Sequence, residues 1–201
     1  MSQERIVVGI VGPKQSGKSE IYKQLAITRG FVRHRFAGPL KAMMKAGFGL
    51  TDEELDGNLK EVPCTKLGGR TPRWAQQSLG TEWGRELIHN DIWIMAWEAT
   101  MPQVLDDEGK LCGIVADDVR FPNEVEAIRR HGGKLIAIQR PSLGLVRTDT
   151  HASEAHAHTL EVDFRIVNGG SLEDLRQKID EILSRLSPVE GTEPQPDQVA
   201  S

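Results

Sequence analysis

The run Gly12-Pro13-Lys14-Gln15-Ser16-Gly17-Lys18-Ser19 fits the pattern G-x-x-x-x-G-K-[ST] at every fixed position. It follows Ile6-Val7-Val8-Gly9-Ile10-Val11, which reads as a buried strand, and it opens a stretch from Lys18 to about Thr28 that reads as a helix. A strand that stops in such a loop and turns into a helix aims several backbone N–H groups, and the positive end of the helix dipole, at one point in space. Gly12 and Gly17 allow backbone geometry that a Cβ would penalise. The expected ligand is a nucleoside triphosphate, ATP, with Lys18 reaching the β- and γ-phosphates and Ser19 holding Mg²⁺ through its hydroxyl. Lys14 and Ser16 are candidates to contact the same phosphates or to shape the loop.

Further apolar runs bounded by Gly or Pro occur at Phe31–Phe36, Cys112–Ala116, Lys134–Gln139 and Phe164–Val167. Their lengths and β-branched content suit strands of a covered sheet, and the helical stretches between them predict a parallel α/β arrangement. One helix begins at Pro122 and ends at Gly132-Gly133 after Arg129-Arg130-His131. Another begins at Ser171, capped with Asp174, and carries Leu172, Leu175, Ile179, Ile182 and Leu186 on one face.

Two segments break the alternation. Residues 37–111 are far more than a simple crossover needs, and much of them reads as helical, including Pro72–His89 and Ile92–Leu105. Residues 140–162 form a shorter polar stretch rich in Arg, His, Ser and Thr. A phosphate-loop protein with one large helical insertion and one short polar one is built like a nucleoside monophosphate kinase. The large insertion would hold the phosphate acceptor, and the short one would close as a lid over ATP. The expected layout is one domain over residues 1–186, with its core at about 5–36, 112–140 and 163–186. The Pro-, Glu-, Gln- and Asp-rich residues 187–201 read as a disordered tail.

Composition narrows the partners. A formal charge of −4 offers no broad basic face, so direct nucleic-acid binding is not expected. No apolar run approaches the ~20 residues needed to cross a bilayer, so no membrane partner is expected. The start of the chain does not read as a signal peptide. Cys64 and Cys112 are far apart and form no C-x-x-C, with Cys112 expected in a core strand. These features predict a cytoplasmic protein. Trp93 and Trp97 give more apolar surface than one helix face needs, which would suit a homodimer, although core burial explains them equally well.

Three constellations carry the chemistry beyond the loop. The strand Gly113-Ile114-Val115-Ala116 ends in Asp117-Asp118; either acid could serve Mg²⁺ at a strand's carboxyl end, or act as an ordinary helix cap. In Asp118-Val119-Arg120-Phe121-Pro122-Asn123-Glu124, Arg120 can grip a phosphate with a bidentate fork. Asn123 and Glu124 are candidates for substrate contact or for capping. In Ser78-Leu79-Gly80-Thr81-Glu82-Trp83-Gly84-Arg85, Trp83 could stack on a base and Arg85 could hold the acceptor phosphate. Arg70 and Arg73 add charge just upstream. In the short polar segment, Arg140 and Arg147 could reach across the triphosphate. His151, His156 and His158 match no structural zinc spacing and read better as part of a hydrogen-bonded lid.

The phosphate loop, the Leu79–Arg85 run, the Asp118–Glu124 run and the later His151-Ala152-Ser153-Glu154 together resemble the deoxynucleoside monophosphate kinases of tailed bacteriophages and their prophage relatives, over nearly the whole chain from about Arg5 to Leu186. The resemblance implies a three-layer α/β/α fold with a five-stranded parallel core sheet. It also implies transfer of the ATP γ-phosphoryl group, with Mg²⁺, to a deoxynucleoside 5′-monophosphate. Carried over by motif, Lys18 and Ser19 would serve ATP and the metal, Arg85 and Arg120 the acceptor, and Asp118 would lie near the metal and phosphates. The family often has an acid in a Phe-Ala-Asp-Pro-Leu-Lys run; here Gly38 replaces it in Phe36-Ala37-Gly38-Pro39-Leu40-Lys41, which leaves Lys41 as a candidate phosphate contact. Two other readings keep the loop: another small-molecule kinase resembling dephospho-coenzyme A kinases, and a non-catalytic ATP-dependent switch or assembly protein.

Overall fold

A computed structural model describes residues 5–107, 109, 112–141 and 160–186. In chain order the elements are β1 (Val7–Val11), α1 (Lys18–Arg29), β2 (Val32–Arg33), α2 (Gly38–Phe48), α3 (Asp52–Leu55), α4 (Pro72–Ser78), a π-helix (Leu79–Ile88), α5 (Ile92–Ala99), β3 (Ile114–Ala116), α6 (Pro122–Arg130), β4 (Lys134–Gln139), β5 (Phe164–Val167) and α7 (Leu172–Arg185). Two short 3-10 turns, Asn58–Glu61 and Thr65–Leu67, lie between α3 and α4.

The five strands form one parallel sheet in the order β2-β3-β1-β4-β5. Side-chain alternation sorts its two faces. Val8 and Ile10 of β1 join Ile136 and Ile138 of β4 beneath Ile21 and Leu25 of α1 and Leu175, Ile179 and Ile182 of α7. Val7 and Val11 point to the other face, toward Ile94 and Trp97 of α5 and Val125 and Ile128 of α6. Helices on both faces make the three-layer α/β/α arrangement that the resemblance implies, around the parallel sheet that the alternating pattern predicts. Gly9 lies on the second face, where a Cβ would stand 2.8 Å from Leu135 and 3.1 Å from Val119. A third apolar cluster belongs to the long insertion: Leu40, Met44, Leu50 and Leu55 close around Trp93.

Sequence patterning locates β4 and β5 to the residue, and the structure departs from it in four other places. β2 is two residues long rather than spanning Phe31–Phe36. His34 N–H still donates to Val115 O at 2.9 Å, but the Phe36 N–H turns to the Asp118 carboxylate. The helix predicted for Pro72–His89 changes winding at Leu79 and continues as a π-helix. Trp93 accounts for the change: its indole N–H donates to Gly80 O at 2.7 Å, and its ring sits where any Cβ on Gly84 would be. The helix predicted for Ile92–Leu105 stops at Ala99, where the Thr100 hydroxyl bonds back to Ala96 O, two residues before Pro102. Cys112 precedes β3 and is half-buried, its N–H donating to Val104 O instead of entering the sheet.

Trp93 and Trp97, read from sequence as surplus apolar surface for a homodimer, are both buried within the chain's own clusters. Trp97 packs against the rings of His34 and Phe36 at centroid distances of 5.4 and 4.8 Å. It is locked by reciprocal hydrogen bonds, its indole N–H to His34 O at 2.9 Å and the His34 Nε2–H to its own carbonyl at 2.8 Å. This residue joins α5 to the end of β2. Trp97→Ala should therefore destabilise the protein by about 3–5 kcal/mol, read from urea unfolding. A loss below about 1 kcal/mol would mean that the junction contributes little.

Candidate functional site

All five strands are parallel, so their carboxyl ends share one edge. In the sheet order β1 sends its connection toward β2 while the neighbouring β3 sends its own across to β4, so the connections diverge and a crevice opens beyond the carboxyl ends of β1 and β3. A cavity of about 590 Å³ occupies that position, within the range of small-molecule sites. One side is the loop after β1 with the start of α1. The other is the insertion, and the floor is the loop after β3.

The loop is shaped for an anion. Gln15 and Gly17 adopt positive φ, 63° and 114°. A Cβ on Gly12 would stand 2.5 Å from Ile138 O, so the chain passes β4 at a distance only glycine allows. Asn168, just after β5, donates its side-chain N–H to Ser16 O at 2.8 Å and ties the loop to the far strand. Lys18 Nζ curls back onto Gly12 O (2.6 Å) and Pro13 O (2.8 Å), while the Ser16 hydroxyl is buried without a hydrogen-bond partner among the described residues. An unsatisfied hydroxyl beneath a nest of N–H groups fits a phosphate ligand. Ser19 is exposed at the first turn of α1, and Lys14 also lines the cavity.

Both acids after β3 line the cavity and both are partnered. Asp117, 4% exposed, takes a two-point grip from Arg33, with Nε at 3.0 Å from Oδ1 and a second contact through NH2. Asp118 accepts from the N–H groups of Phe36 (3.1 Å) and Ala37 (2.9 Å) at the root of α2.

On the insertion side, Arg85 and Glu124 form a buried ion pair at 2.6 Å, with the Arg85 guanidinium 3.9 Å above the Phe121 ring. Glu124 also accepts from the N–H groups of Arg120 (2.7 Å) and Phe121 (3.2 Å), fixing the start of α6. Burial pushes the Glu124 carboxyl up to about 7 against the pull of Arg85 and these N–H groups, with the Asp118 charge adding to the rise. Arg120 and Arg73 line the same cavity, and Arg73 faces Glu61 at 3.5 Å. Lys41 pairs with Asp56, which also meets Arg35 NH2 at 2.9 Å. Burial acts to raise the Asp56 carboxyl, but Arg35 and Lys41 outweigh it and hold it below the usual carboxylate range. Asp56 is thus the acid beside Lys41; nothing lies within 4 Å of where a Cβ on Gly38 would project.

Several residues singled out from sequence lie elsewhere. Arg70 is exposed and stacks on Trp74 at 4.7 Å. Trp83, 38% exposed, lies beside Trp74, Met44 and Phe48 on a shallow apolar groove outside the cleft lining. Asn123 donates to Asp91 Oδ1 at 2.6 Å and ties α6 to the turn before α5. Arg140 is exposed just past β4. Arg147, the three lid histidines and the acidic tail lie outside the described residues. Conversely, Arg33, Arg35, Asp56, Lys60, Gln77 and Thr81 line the cavity without having been expected. Arg33 and Arg35 alternate along the end of β2, a period-two signal at a strand's carboxyl end. The others lack such a signal, because they converge only through the fold of the insertion.

The chain is similar to known proteins in sequence and in fold. The family profile for deoxynucleotide monophosphate kinase matches residues 69–179. A protein of Acanthamoeba polyphaga mimivirus described as a candidate deoxynucleotide monophosphate kinase is 33% identical over 184 residues, covering 87% of this chain and 94% of the relative. The deoxynucleotide monophosphate kinase of Enterobacteria phage T4 is 32% identical over 118 residues; the match takes in 57% of this chain and 47% of the phage protein. Among solved structures, dephospho-CoA kinase from Campylobacter jejuni superposes with a TM-score of 0.48 at 20% identity, covering 90% of this chain and 96% of the other.

Lys60 yields a pH prediction. Burial pushes its ammonium down to about 8, with Lys41, Arg73 and Arg120 adding to the fall and Asp56 opposing it. Below that value Lys60 is charged and can hold a phosphate; above it the charge is lost. A phosphomonoester stays dianionic throughout this range. The apparent Kd of a nucleoside monophosphate should therefore rise about tenfold between pH 7 and pH 9, and Lys60→Arg should flatten the rise. A wild-type profile already flat in calorimetric titration would remove Lys60 from the site.

Proposed function

The chain belongs to the deoxynucleotide monophosphate kinase family and is a nucleotide kinase of that class, and on that premise we propose how its cleft transfers the γ-phosphoryl group of ATP to a deoxynucleoside 5′-monophosphate. The observation that carries this reading is a single cavity lined at once by the phosphate loop, through Lys14, Gln15, Gly17, Lys18 and Ser19, and by the cations Arg35, Lys41, Arg73, Arg85 and Arg120. A protein that only bound ATP would need the first set and not the second.

In this reading the loop N–H groups and Lys18 hold the β- and γ-phosphates, and Lys18 exchanges its contacts with Gly12 O and Pro13 O for phosphate oxygens. An oxygen of the acceptor's 5′-phosphate attacks the γ-phosphorus in line. The bond from that phosphorus to the β,γ-bridging oxygen breaks, and ADP leaves with that oxygen. Arg85 and Arg120 orient the acceptor phosphate and offset the negative charge of two phosphates brought together. Glu124 acts through them, gripping the Arg85 side chain and the Arg120 backbone. A bound Mg²⁺ would supply further charge neutralisation. Ser19, Asp117 and Asp118 are the oxygen donors that would hold it, since all three line the cleft and offer the hard ligands it prefers. Arg140 and Arg147 are proposed to reach the triphosphate from the polar segment that follows β4. No helix among the described residues is long and apolar enough to cross a membrane.

ADP release with ATP and Mg²⁺, measured against a panel of deoxynucleoside and ribonucleoside monophosphates, tests the proposal. Stimulation by one or a few deoxynucleotides is expected; a flat panel with ATP binding intact would instead favour the switch-protein reading. Lys18→Ala should lower turnover at least about a hundredfold while leaving the thermal unfolding midpoint unchanged. Arg120→Ala should raise the acceptor KM and lower kcat, together reducing kcat/KM about tenfold or more. A change confined to the ATP KM would move Arg120 to the donor side.

A further inference from the structure

The cleft changes character at the insertion end. The charged lining gives way to an uncharged patch formed by Leu40, Gln76, Gln77, Gly80, Thr81 and Trp93. These residues converge by construction. A Cβ on Gly80 would stand 3.7 Å from Leu40, and Gly80 O accepts the Trp93 indole N–H. Gln77 and Thr81 stand four positions apart across the junction of α4 and the π-helix, so both project near the same surface. Leu40 and Trp93 are themselves buried in the insertion's apolar cluster, which gives the patch a rigid backing.

The polar groups of the patch differ in what they already do. The Gln76 amide donates to Leu55 O at 2.9 Å and holds α4 against α3. The Gln77 carboxamide and the Thr81 hydroxyl are half-buried and have no side-chain partner among the described residues. A half-buried amide left free in a cleft is matched to something that enters the cleft.

We propose that this uncharged patch is where the base of the acceptor nucleotide lies, and that the Gln77 carboxamide, assisted by Thr81, discriminates among bases. The assignment rests on the phosphotransfer reading above. With the acceptor phosphate among Arg73, Arg85 and Arg120, the rest of the nucleotide extends either toward the phosphate loop, where ATP lies, or toward the patch. Leu40 and Trp93 supply apolar surface for a planar ring. An amide offers donors and an acceptor side by side, as does the hydrogen-bonding edge of every common base, and no charged group in the patch competes with it. Trp83, which the sequence suggested as the base-stacking residue, lies outside the cleft lining; Trp93 is the tryptophan that lines it.

The test compares kcat/KM for dAMP, dGMP, dCMP and dTMP in the wild type, Gln77→Leu and Gln77→Glu. Leucine keeps the bulk and removes the hydrogen bonds; glutamate keeps the shape and removes the donors. Each variant should change the ratio between the best and the other bases about tenfold or more, with the ATP KM within about twofold of wild type. A uniform fall for all four nucleotides, or unchanged ratios in both variants, would overturn the assignment, because a structural role for Gln77 does not alter base ranking. A wild type inert toward all four overturns the phosphotransfer reading instead, and shows this before any variant is compared.

Discussion

The Asp118 carboxylate joins the two halves of the cleft. It accepts from the backbone N–H groups of Phe36 and Ala37, residues 82 and 81 positions earlier in the chain. Those residues lie where the insertion leaves the sheet, and Asp118 lies where the chain returns through β3. One side chain therefore closes the root of a long excursion. Beside it Arg33 and Asp117 make a second bridge between the same two strand ends. Without these contacts the insertion would still meet the core through the packing around Trp97, the Arg85–Glu124 ion pair and the Asn123–Asp91 tie, but the root of α2 would lose its anchor to the end of β3. Charge-assisted hydrogen bonds are suited to such a junction, because they are directional where apolar contact is not.

The electrostatics follow from the same constraint. The cleft collects many cations, and like charges held together in a partly dry space repel. The fold offsets this with acids placed among the cations: Asp56 between Arg35 and Lys41, Glu124 against Arg85, Asp117 against Arg33. Each pair fixes a guanidinium or ammonium before any ligand arrives, and preorganised charge is what phosphoryl transfer most requires of a protein. Lys60 and Lys41 show the residual strain of this crowding: burial and neighbouring cations hold both ammonium groups below their ordinary range. A phosphate entering the cleft would relieve it.

Local signals made the sheet and its loop legible in the sequence. Five apolar runs, a complete phosphate-loop pattern and the cap at Ser171 are each written within a few residues. The acids and arginine after β3 were legible too, because strand ends on one edge of a parallel sheet converge on one crevice. The insertion was harder. Its π-helix arises from an indole donating to Gly80 O and packing on Gly84, a contact between segments that no window across residues 79–88 contains. For the same reason Asp56, Lys60 and Gln77 were invisible as site residues and Trp83 was favoured over Trp93: which tryptophan faces the cleft depends on how α5 crosses the π-helix. Asn123 and Arg70 looked like ligand contacts because their residue types suit that role, whereas the fold uses them in a tie to Asp91 and a stack on Trp74.

The central claim is that one cleft holds donor and acceptor phosphates in line, and a bisubstrate analogue measures this directly. An adenosine and a deoxynucleoside joined 5′ to 5′ through a polyphosphate bridge should bind with one-to-one stoichiometry in calorimetry. It should displace both ATP and the deoxynucleoside monophosphate, and bind at least about a hundredfold more tightly than either alone, because the second contact becomes intramolecular. Binding no tighter than ATP, or displacement of only one of the two nucleotides, would show that donor and acceptor do not share the cleft and that the insertion's cations do not hold the acceptor phosphate.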